Sequence, residues 1–425
     1  MRPVRLVAGR LIDGRGGVIE RGALLLEGSR IAAVGSDADV PRPEGAIHVD
    51  ASGRTLMPGL IDAHVHLAYS GIDDGRAFRA ETIDASYPAL ALRAAAYAGA
   101  ALAAGVVGLR DCHAPGGVAI DVARALAAGW AVGPRVAACG LGLSATGGHM
   151  DPPGWGDHVR MEGFTAACDG PDAYRAGVRA QRKRGADFIK INACHSRPEG
   201  LGGPVEGRFR SEMTEAELTA VADEAHMHGL RVAAHAVGGA GVAAAVAAGI
   251  DSIEHGHWID DATLDAMAAA GTAYVPTLTV NERNFELGRE RLGSSQRGWA
   301  WLEWSREAKW DTLARARAAG VTLVAGTDSG YYLPHGEHHA RELAFLVQGG
   351  CTPLEAITAA TAAPAAWLGW DDLGTLEVGR RASFLLVDGD PSADIRVLED
   401  ARRIEVVQDG RRVAAGGALR EEAWA

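Results

Sequence analysis

Two histidines separated by one residue, His64 and His66, lie at the end of an apolar run that starts at Gly59. Alternate residues of a β-strand point to the same face, so both imidazoles could bind one metal ion. The run is apolar enough for a strand that is buried on both faces. The pair His226 and His228, which ends an apparent helix and which we expect to be solvated, shows that this spacing alone is a weak signal.

Four further candidate ligands each lie at the end of a predicted strand. They are Lys190, His235, His255 and Asp328. A single histidine at a strand end is more often structural than a ligand. However, the carboxyl ends of the strands of a parallel barrel meet at one rim, where active sites are built. We therefore expect these side chains to lie beside His64 and His66 in a functional centre.

The elements that would position these side chains alternate along the chain. Apolar β-like runs are predicted over 59–66, 106–110, 135–139, 187–192, 231–235, 251–255, 273–277 and 322–326. The clearest helices are predicted over 214–228, 260–270, 336–349 and 353–369. Thr214 and Glu217 form a capping-box signature at the start of the first of these helices. Eight parallel strand–helix units predict an α/β fold, a (β/α)8 TIM barrel.

The two ends of the chain differ from this middle part. Residues 4–56 and 374–415 contain short alternating runs with Gly-rich turns, which is typical of antiparallel strands. We therefore predict one small β-sandwich domain built from both chain termini, 1–57 and 366–425. The barrel domain would extend over 58–365.

Two long segments interrupt the barrel pattern, 140–165 after the third strand and 281–310 after the seventh. Long loops inside compact barrels are often functional. The second segment contains Trp299, Trp301, Trp304 and Trp310. These tryptophans could pack within the molecule or form an oligomer contact, or they could form a hydrophobic lid over the substrate.

The composition excludes several classes of partner. The 425 residues are 48% hydrophobic and carry a net charge of -12, with a mean hydropathy of -0.01. Lys and Arg do not cluster, so we expect no nucleic acid and no anionic membrane as partner. The sequence leads us to expect neither a secretory signal nor an apolar membrane span. The five cysteines are scattered, which favours reduced thiols and a cytoplasmic location.

The candidate ligands and several short motifs resemble the amidohydrolase superfamily. Within it, the chain is similar to the subgroup of imidazolonepropionase-like and Xaa-Pro or Xaa-Arg/Lys dipeptidase-like enzymes. The motifs are Pro58–His66, Leu109–Asp111, Thr146–His149, Ser252–Gly256, Val275–Leu278, Gly326–Asp328, Thr352–Ile357 and the run 373–384. The resemblance extends over essentially the whole chain, including both termini.

This resemblance implies a binuclear metal centre. One divalent ion would be bound by His64, His66 and Asp328, and the second by His235 and His255. Lys190 cannot bind a metal as an ammonium. The resemblance implies that it reacts with CO2 to form a bridging carbamate, N6-carboxylysine. Such ligands suit Zn2+, with Mn2+, Co2+ or Fe2+ as alternatives.

In such a centre a bridging hydroxide would attack the substrate carbonyl. Asp328 would act as general base and then as general acid toward the leaving amine. The predicted reaction is hydrolysis of an amide (C–N) bond in a small-molecule substrate, such as a dipeptide or an N-acyl amino acid. Enzymes of this type are often oligomeric, so we expect a homo-oligomer.

Other functions stay open at this point. The enzyme could hydrolyse an aryl amide, a carbamate, a cyclic amide or a lactone. It could also be a mononuclear deaminase of the same fold, although deaminases usually lack a lysine at the position of Lys190. The non-enzymatic alternative is an oligomeric scaffold that uses the barrel as a binding module. The complete ligand set argues against it.

Four residues are candidates for substrate contacts. His149 resembles a catalytic residue that contacts the substrate carbonyl or the transition state; alternatively, it makes a loop hydrogen bond. His257 could line the mouth of the site, and Arg197 could receive a carboxylate. Val237 occupies a position where dipeptide-cleaving relatives often carry an aromatic residue or a histidine, so the substrate contacts differ from theirs.

Three further features lie near the predicted rim. His113 and His195 could belong either to the site or to the surface. Arg110 and Asp111 are predicted to form a structural pair. The histidine-rich run 335–339 is predicted to start a helix.

Overall fold

The first 58 residues form five strands. The computed structural model describes residues 2–151, 163–194, 211–422 and 424. The strands are β1 (Val4–Ile12), β2 (Val18–Glu20), β3 (Gly22–Glu27), β4 (Arg30–Ser36) and β5 (Ile47–Pro58). β1 pairs antiparallel with β2 and β3 but parallel with β5. This last pair departs from the antiparallel prediction because residues 37–46 return the chain to the start of β1 before β5 begins.

The middle of the chain forms two parallel sheets, with the strand orders β6-β7-β8 and β10-β9-β11-β12-β13-β14. These strands are β6 (Leu60–Val65), β7 (Val106–Asp111), β8 (Arg135–Ala138), β9 (Leu143–Ser144), β10 (Ala166–Ala167), β11 (Ile189–Asn192), β12 (Val232–Gly238), β13 (Ser252–Trp258) and β14 (Ala273–Val275). The first seven predicted strands correspond to β6, β7, β8, β11, β12, β13 and β14. Their apolar runs were readable because strands covered on both faces need apolar residues on both.

Helices connect these strands. They are α1 (Gly75–Asp84), α2 (Tyr87–Ala103), α3 (Val118–Ala127), α4 (Pro171–Arg184), α5 (Glu215–Met227), α6 (Ala240–Ala247), α7 (Asp261–Ala270), α8 (Leu278–Leu292), α9 (Gln296–Ala318), α10 (His339–Gln348), α11 (Pro353–Ala359) and α12 (Ala362–Leu368). The capping box of Thr214 and Glu217 is present at the start of α5. The helix predicted over 353–369 is divided into α11 and α12, because Pro364 has no N–H to continue the hydrogen bonds of the first. Within the described ranges, no helix is long and apolar enough to cross a membrane.

The eighth predicted strand, 322–326, does not form a regular strand. Leu323 makes an isolated parallel bridge to Tyr274 of β14, and Ser329 makes another to Val65 of β6. A Cβ at Gly326 would lie 2.7 Å from the Cβ of His64, and Asp328 has a φ of +64°. The segment therefore turns where it meets β6. Backbone hydrogen bonds, such as Val324 N–H to Tyr274 O and Ala63 N–H to Ala325 O, join it to the edges of both parallel sheets.

The segment 281–310, predicted as a long loop, lies instead within the helices α8 and α9. The ring of Trp304 stacks on that of Trp258 with the centroids 4.0 Å apart, and Trp310 packs edge-on against Phe345. Trp301 is buried against the ring of His257. These three tryptophans take part in intramolecular packing, the first of the alternatives considered for them.

The C-terminal strands complete the sheet begun by β1. They are β15 (Phe384–Val387), β16 (Ile404–Gln408), β17 (Arg411–Ala415) and β18 (Ala418–Glu422). Together the two ends form one nine-stranded sheet of order β18-β17-β16-β15-β5-β1-β3-β4, with β2 on β1. Leu6, Leu24, Leu56, Phe384 and Val407 share one apolar cluster in this sheet. Both ends of the chain therefore depend on each other for a common core.

Candidate metal centre

The structure brings the predicted ligands to the carboxyl ends of neighbouring strands. His64 lies in β6 with His66 just after it, Lys190 in β11, His235 in β12, His255 in β13, and Asp328 in the segment after residue 322. The register of β11, β12 and β13 pairs Asn192 with His235 and Ala236 with His255. Because parallel strands end at the same edge, residues more than 200 positions apart become neighbours.

Asp328 contacts both histidines of the first strand. Its Oδ1 lies 3.1 Å from Nε2 of His66 and 3.6 Å from Nε2 of His64. Ligand atoms of His64, His255 and Asp328 all lie within 4.8 Å of one another. A metal with bonds of about 2.0–2.2 Å to nitrogen and oxygen spans such a group. The geometry therefore fits a metal ion at this point.

A second group of histidines adjoins the first. The rings of His235 and His255 have centroids 4.6 Å apart, and those of His64 and His255 are 5.0 Å apart. The ring of His149 stacks on His235 at 3.9 Å with an interplanar angle of 16°. His149 thus reaches the centre from its loop, beside the residue predicted to bind the second ion.

Lys190 is the unusual member of the group. Its side chain is buried, and its Nζ has no hydrogen-bond partner among the described residues. A buried ammonium without a partner is costly. Reaction of the neutral amine with CO2 would release a proton and give an anionic carbamate with two oxygen ligands in place of the ammonium. A carbamate formed on Lys190 would fit this position.

Three of the histidines are held through their Nδ1 atoms. His64 Nδ1 lies 2.6 Å from Glu254 Oε2, His66 Nδ1 lies 3.1 Å from a backbone carbonyl oxygen, and His255 Nδ1 lies 2.8 Å from Thr277 Oγ1. An acceptor at Nδ1 fixes the ring orientation and leaves Nε2 as the metal-binding atom. This second layer of contacts is the arrangement found around histidine-bound metals.

Electrostatics hold His64, His255 and Asp328 in metal-binding forms, whereas for His66 the effect of burial is outweighed by Asp328 and Asp111, which raise its pKa. Burial, followed by the nearby charge of Lys190, lowers the pKa of His64 to about 4. Burial also lowers the pKa of His255 far below its ordinary value. For Asp328, burial would raise the pKa, but the hydrogen bond and charges from the neighbouring histidines prevail and hold it at about 2. Neutral imidazoles and an ionised carboxylate are the forms that bind metals.

The backbone is also unusual at the centre. His255, Thr277 and Asp328 have φ values of +73°, +48° and +64°. Residues other than glycine adopt this left-handed region at a cost, and such residues concentrate at functional sites. Three residues in or beside the candidate metal centre therefore have a strained backbone.

A buried arginine, Arg110, supports His64 through the carboxylate of Glu254. Both Oε atoms of Glu254 lie 2.7 Å from Nη2 of Arg110, while Oε2 also contacts His64. The predicted structural pair of Arg110 with Asp111 is therefore wrong. Asp111 instead accepts hydrogen bonds from the backbone N–H groups of Leu67 and His113, at 2.7 and 3.3 Å. The sequence signal missed for Glu254 was a charged residue inside an otherwise buried strand.

The segment that carries Asp328 is supported by Asp62. The carboxylate of Asp62 accepts a hydrogen bond from Thr327 Oγ1 at 2.6 Å and lies 2.5 Å from His339 Nδ1. His339 is the first residue of α10, and His338 is its N-cap, so the prediction that this run starts a helix is confirmed. His339 in addition holds the turn that presents Asp328.

The residues predicted to contact the substrate or to lie near the rim have different surroundings. His257 is buried against Trp301, and its Nδ1 lacks a hydrogen-bond partner within the described part of the chain. Val237 belongs to the apolar core, and its backbone N–H lies 2.8 Å from the Cys194 Sγ. Arg197 and His195 lie outside the described residues.

The second histidine pair with this spacing, His226 and His228, lies outside the candidate metal centre. His226 is 43% exposed and hydrogen-bonds to Asp251, and His228 contacts Glu224 of its own helix. Both lie at the end of α5, away from the ligand group, and each has a carboxylate partner.

Comparison with known proteins decides the family. Residues 55–413 match the amidohydrolase family. The chain belongs to that family. This amidohydrolase is a hydrolase that acts on C–N bonds, as its family and relatives are. The family typically binds metal ions, and the amidohydrolase fold of a TIM barrel with a β-sandwich accounts for the mixed α/β architecture.

Individual relatives cover nearly the whole amidohydrolase chain. Ochratoxinase of Aspergillus niger is 33% identical over 431 residues, which cover 97% of this chain and 86% of the relative. The crystal structure of that ochratoxinase superposes with a TM-score of 0.83 at 30% identity, covering 97% of this chain and 96% of the other. A crystal structure of a Xaa-Pro dipeptidase with methionine in its active site gives a TM-score of 0.85 at 31% identity, covering 99% and 100%.

A third relative matches the other half of the predicted subgroup. Imidazolonepropionase of Streptomyces avermitilis is 27% identical over 425 residues, covering 93% of this amidohydrolase and 88% of the relative. The resemblance inferred from the motifs is thereby confirmed.

Proposed function

We propose that this amidohydrolase uses two divalent metal ions to hydrolyse the amide bond of a small substrate such as a dipeptide or an N-acyl amino acid. The observation that carries this proposal is the convergence of six predicted ligands at one end of the parallel strands: His64, His66, Lys190, His235, His255 and Asp328. A mononuclear deaminase would have no use for the buried amine of Lys190, which has no hydrogen-bond partner within residues 2–151, 163–194, 211–422 and 424.

We also propose that the two parallel sheets are parts of one (β/α)8 barrel over 58–365, closed by the bridges of Leu323 and Ser329. The sheet from both termini would be the β-sandwich domain, 1–57 and 366–425. In this arrangement the candidate centre lies at the carboxyl ends of the barrel strands, the usual place for an active site.

The proposed ligand division is the one that the family resemblance implies, and the contacts of Asp328 with His64 and His66 and of His235 with His255 support it. One ion would be held by His64, His66 and Asp328, and the other by His235 and His255. A carboxylated Lys190 would bridge them. Zn2+ suits these ligands, and Mn2+, Co2+ or Fe2+ are alternatives. When bound, the two ions would supply an activated water for attack and a Lewis acid that polarises the substrate carbonyl.

Two side chains of the protein, Asp328 and His149, would transfer the proton and stabilise the developing charge. Asp328 is held ionised, so a carboxylate oxygen can accept the proton of the attacking water and pass it to the nitrogen of the leaving amine. His149, stacked on His235, would donate a hydrogen bond to the carbonyl oxygen as negative charge develops there. His257, Val237 and Arg197 stay candidates for substrate contacts.

The substrate class rests on similarity. One relative is named Xaa-Pro dipeptidase and another ochratoxinase. A dipeptide or N-acyl amino acid is therefore our first choice, with aryl amides, carbamates, cyclic amides and lactones as the next compounds to try.

The experiment measures metal content and turnover together. The protein would be expressed with bicarbonate and either Zn2+ or Mn2+, and metals per chain would be determined by elemental analysis. A panel of dipeptides and N-acyl amino acids would then be assayed. The variants Lys190→Ala and Asp328→Ala should abolish turnover without unfolding the protein. The double variant His226→Ala/His228→Ala removes a histidine pair outside the centre and should behave as wild type.

The outcomes separate the parts of the proposal. Two metals per chain with turnover that disappears in both single variants would support the whole. Two metals with no turnover on this panel would refute the substrate class and leave the centre in place. One metal or none, or full activity in a folded Asp328→Ala protein, would refute the binuclear mechanism.

A further inference from the structure

Thr277 has an unusual position at the start of a helix. It is the N-cap of α8, with φ +48° and ψ +51°, and its side chain makes no capping hydrogen bond. Threonine at this position normally accepts from a backbone N–H of the first turn. Here the hydroxyl points away from the helix, and Oγ1 lies 2.8 Å from Nδ1 of His255. The hydroxyl therefore serves the candidate metal centre in place of the helix.

Another residue caps the helix in its place. The carboxylate of Glu342, from α10, accepts hydrogen bonds from the N–H groups of Leu278 at 2.9 Å and Thr279 at 2.7 Å. Glu342 is fully buried, so this cap is part of the core. A carboxylate at a helix N-terminus satisfies the free N–H groups and interacts favourably with the helix dipole. The helix can thus begin without the Thr277 hydroxyl.

Lys309 holds Thr277 from a third helix. It lies in α9 with a side chain that is 1% exposed, and its Nζ lies 2.9 Å from Thr277 O and 3.4 Å from Thr277 Oγ1. An ammonium has only donor hydrogens, so both oxygens of Thr277 act as acceptors toward it. Burial lowers the pKa of Lys309 to about 8, and the nearby carboxylates of Glu342, Asp328 and Glu282 offset this effect in part.

We propose that Lys309 is a positioning residue of the metal centre, acting on His255 through Thr277. Lys309 fixes the position of the Thr277 hydroxyl beside Nδ1 of His255. When Nε2 presents its lone pair to the ion, Nδ1 carries the hydrogen and donates it to Thr277 Oγ1. The proposal rests on the proposed function, because it assigns the support of the histidine that would bind the second ion. As an ammonium, Lys309 has only donor hydrogens and no lone pair for a metal, so it acts on the centre through its contacts with Thr277.

The experiment measures metal affinity, which does not depend on finding the substrate. Zn2+ and Co2+ binding would be followed by competition with a chromophoric chelator, and the Co2+ absorption spectrum would report ligand geometry. We expect Thr277→Val and Lys309→Met to weaken the binding of one ion about 10–100-fold and to change the Co2+ spectrum, as losses of such supporting contacts do. Thr277→Ser keeps the hydroxyl and should bind as wild type.

The control removes a similar hydroxyl at the other end of the same strand. Thr272 is buried before β14, and its Oγ1 donates to Ile250 O at 3.1 Å. Thr272→Val should therefore leave metal affinity unchanged. If Lys309→Met fails to fold because Glu342 becomes an uncompensated charge, Lys309→Met/Glu342→Gln replaces it. Because Glu342 also caps α8, this double variant is compared with Glu342→Gln alone and should bind the ion more weakly.

A double variant tests the order of action. If Lys309 acts through Thr277, then Thr277→Val/Lys309→Met should lose no more affinity than the larger single loss. Independent, multiplying losses would overturn the proposal, as would wild-type affinity in either single variant. If the wild-type protein itself binds only one ion or none, the proposed function fails, which is a different result.

Discussion

The buried pair of Arg110 and Glu254 allows a quantitative prediction. Arg110 is 1% exposed and Glu254 is fully buried. The Arg110 guanidinium also donates to Ser252 Oγ at 3.1 Å and lies 4.3 Å from the ring centroid of Trp367. In Arg110→Met the side chain keeps much of its apolar packing but leaves the Glu254 carboxylate buried without its cation. Breaking such a pair costs about 3–5 kcal/mol.

Urea unfolding of the metal-free protein, followed by tryptophan fluorescence, would measure this loss in the free energy of unfolding. The matched control is Arg135→Met. Arg135 also lies over a tryptophan ring, 4.6 Å from the centroid of Trp370, and pairs with Asp372 at 3.0 Å. Because Arg135 is 44% exposed and Asp372 28%, this pair is worth about 0–1 kcal/mol.

A further variant identifies the cause. Adding Glu254→Gln to Arg110→Met removes the uncompensated charge, so part of the lost stability should return. The reasoning would be refuted if Arg110→Met cost no more than Arg135→Met, or if Glu254→Gln made the Arg110→Met protein still less stable.

Two further predictions concern local stability and pH. Thr214→Ala removes the acceptor for the N–H of Glu217 at the start of α5. Thermal denaturation should show a free energy of unfolding that is lower by about 1 kcal/mol. The control Ser86→Ala changes an N-cap that makes no side-chain hydrogen bond, so it should change the free energy of unfolding little. Burial raises the pKa of Asp111 to about 7, above an unfolded value of about 3.9, so the folded state favours the protonated form. The resulting stabilisation is complete below about pH 4 and disappears as the pH rises toward 7. The free energy of unfolding of Asp111→Asn should therefore fall less than that of wild type between pH 4.5 and 7. Equal slopes of the free energy of unfolding against pH in the two proteins would contradict this.

Local patterns were sufficient for most of the framework. The strands β6, β7, β11, β12 and β13 were readable because a strand buried on both faces must be apolar along its length. The start of α5 was readable because a capping box involves residues only three positions apart. The positions of the candidate ligands followed from the same strand ends, since parallel strands finish at one edge.

Elements that depend on distant partners could not be read in this way. The segment 322–326 has the composition of a strand, but its close approach to His64 and the turn at Asp328 restrict its pairing to isolated bridges. The segment 281–310 was taken for a loop because the faces of α8 and α9 pack on several different elements, which weakens a simple amphipathic pattern.

The sequence by itself determined which residues could bind metal and at which strand ends they stand, because side-chain chemistry and strand periodicity are local properties. Only the tertiary structure decided what supports them. Glu254 meets His64 across 190 residues, and Lys309 reaches Thr277 from another helix. Such contacts depend on how strands and helices pack, and no local pattern records which buried charge will face which histidine.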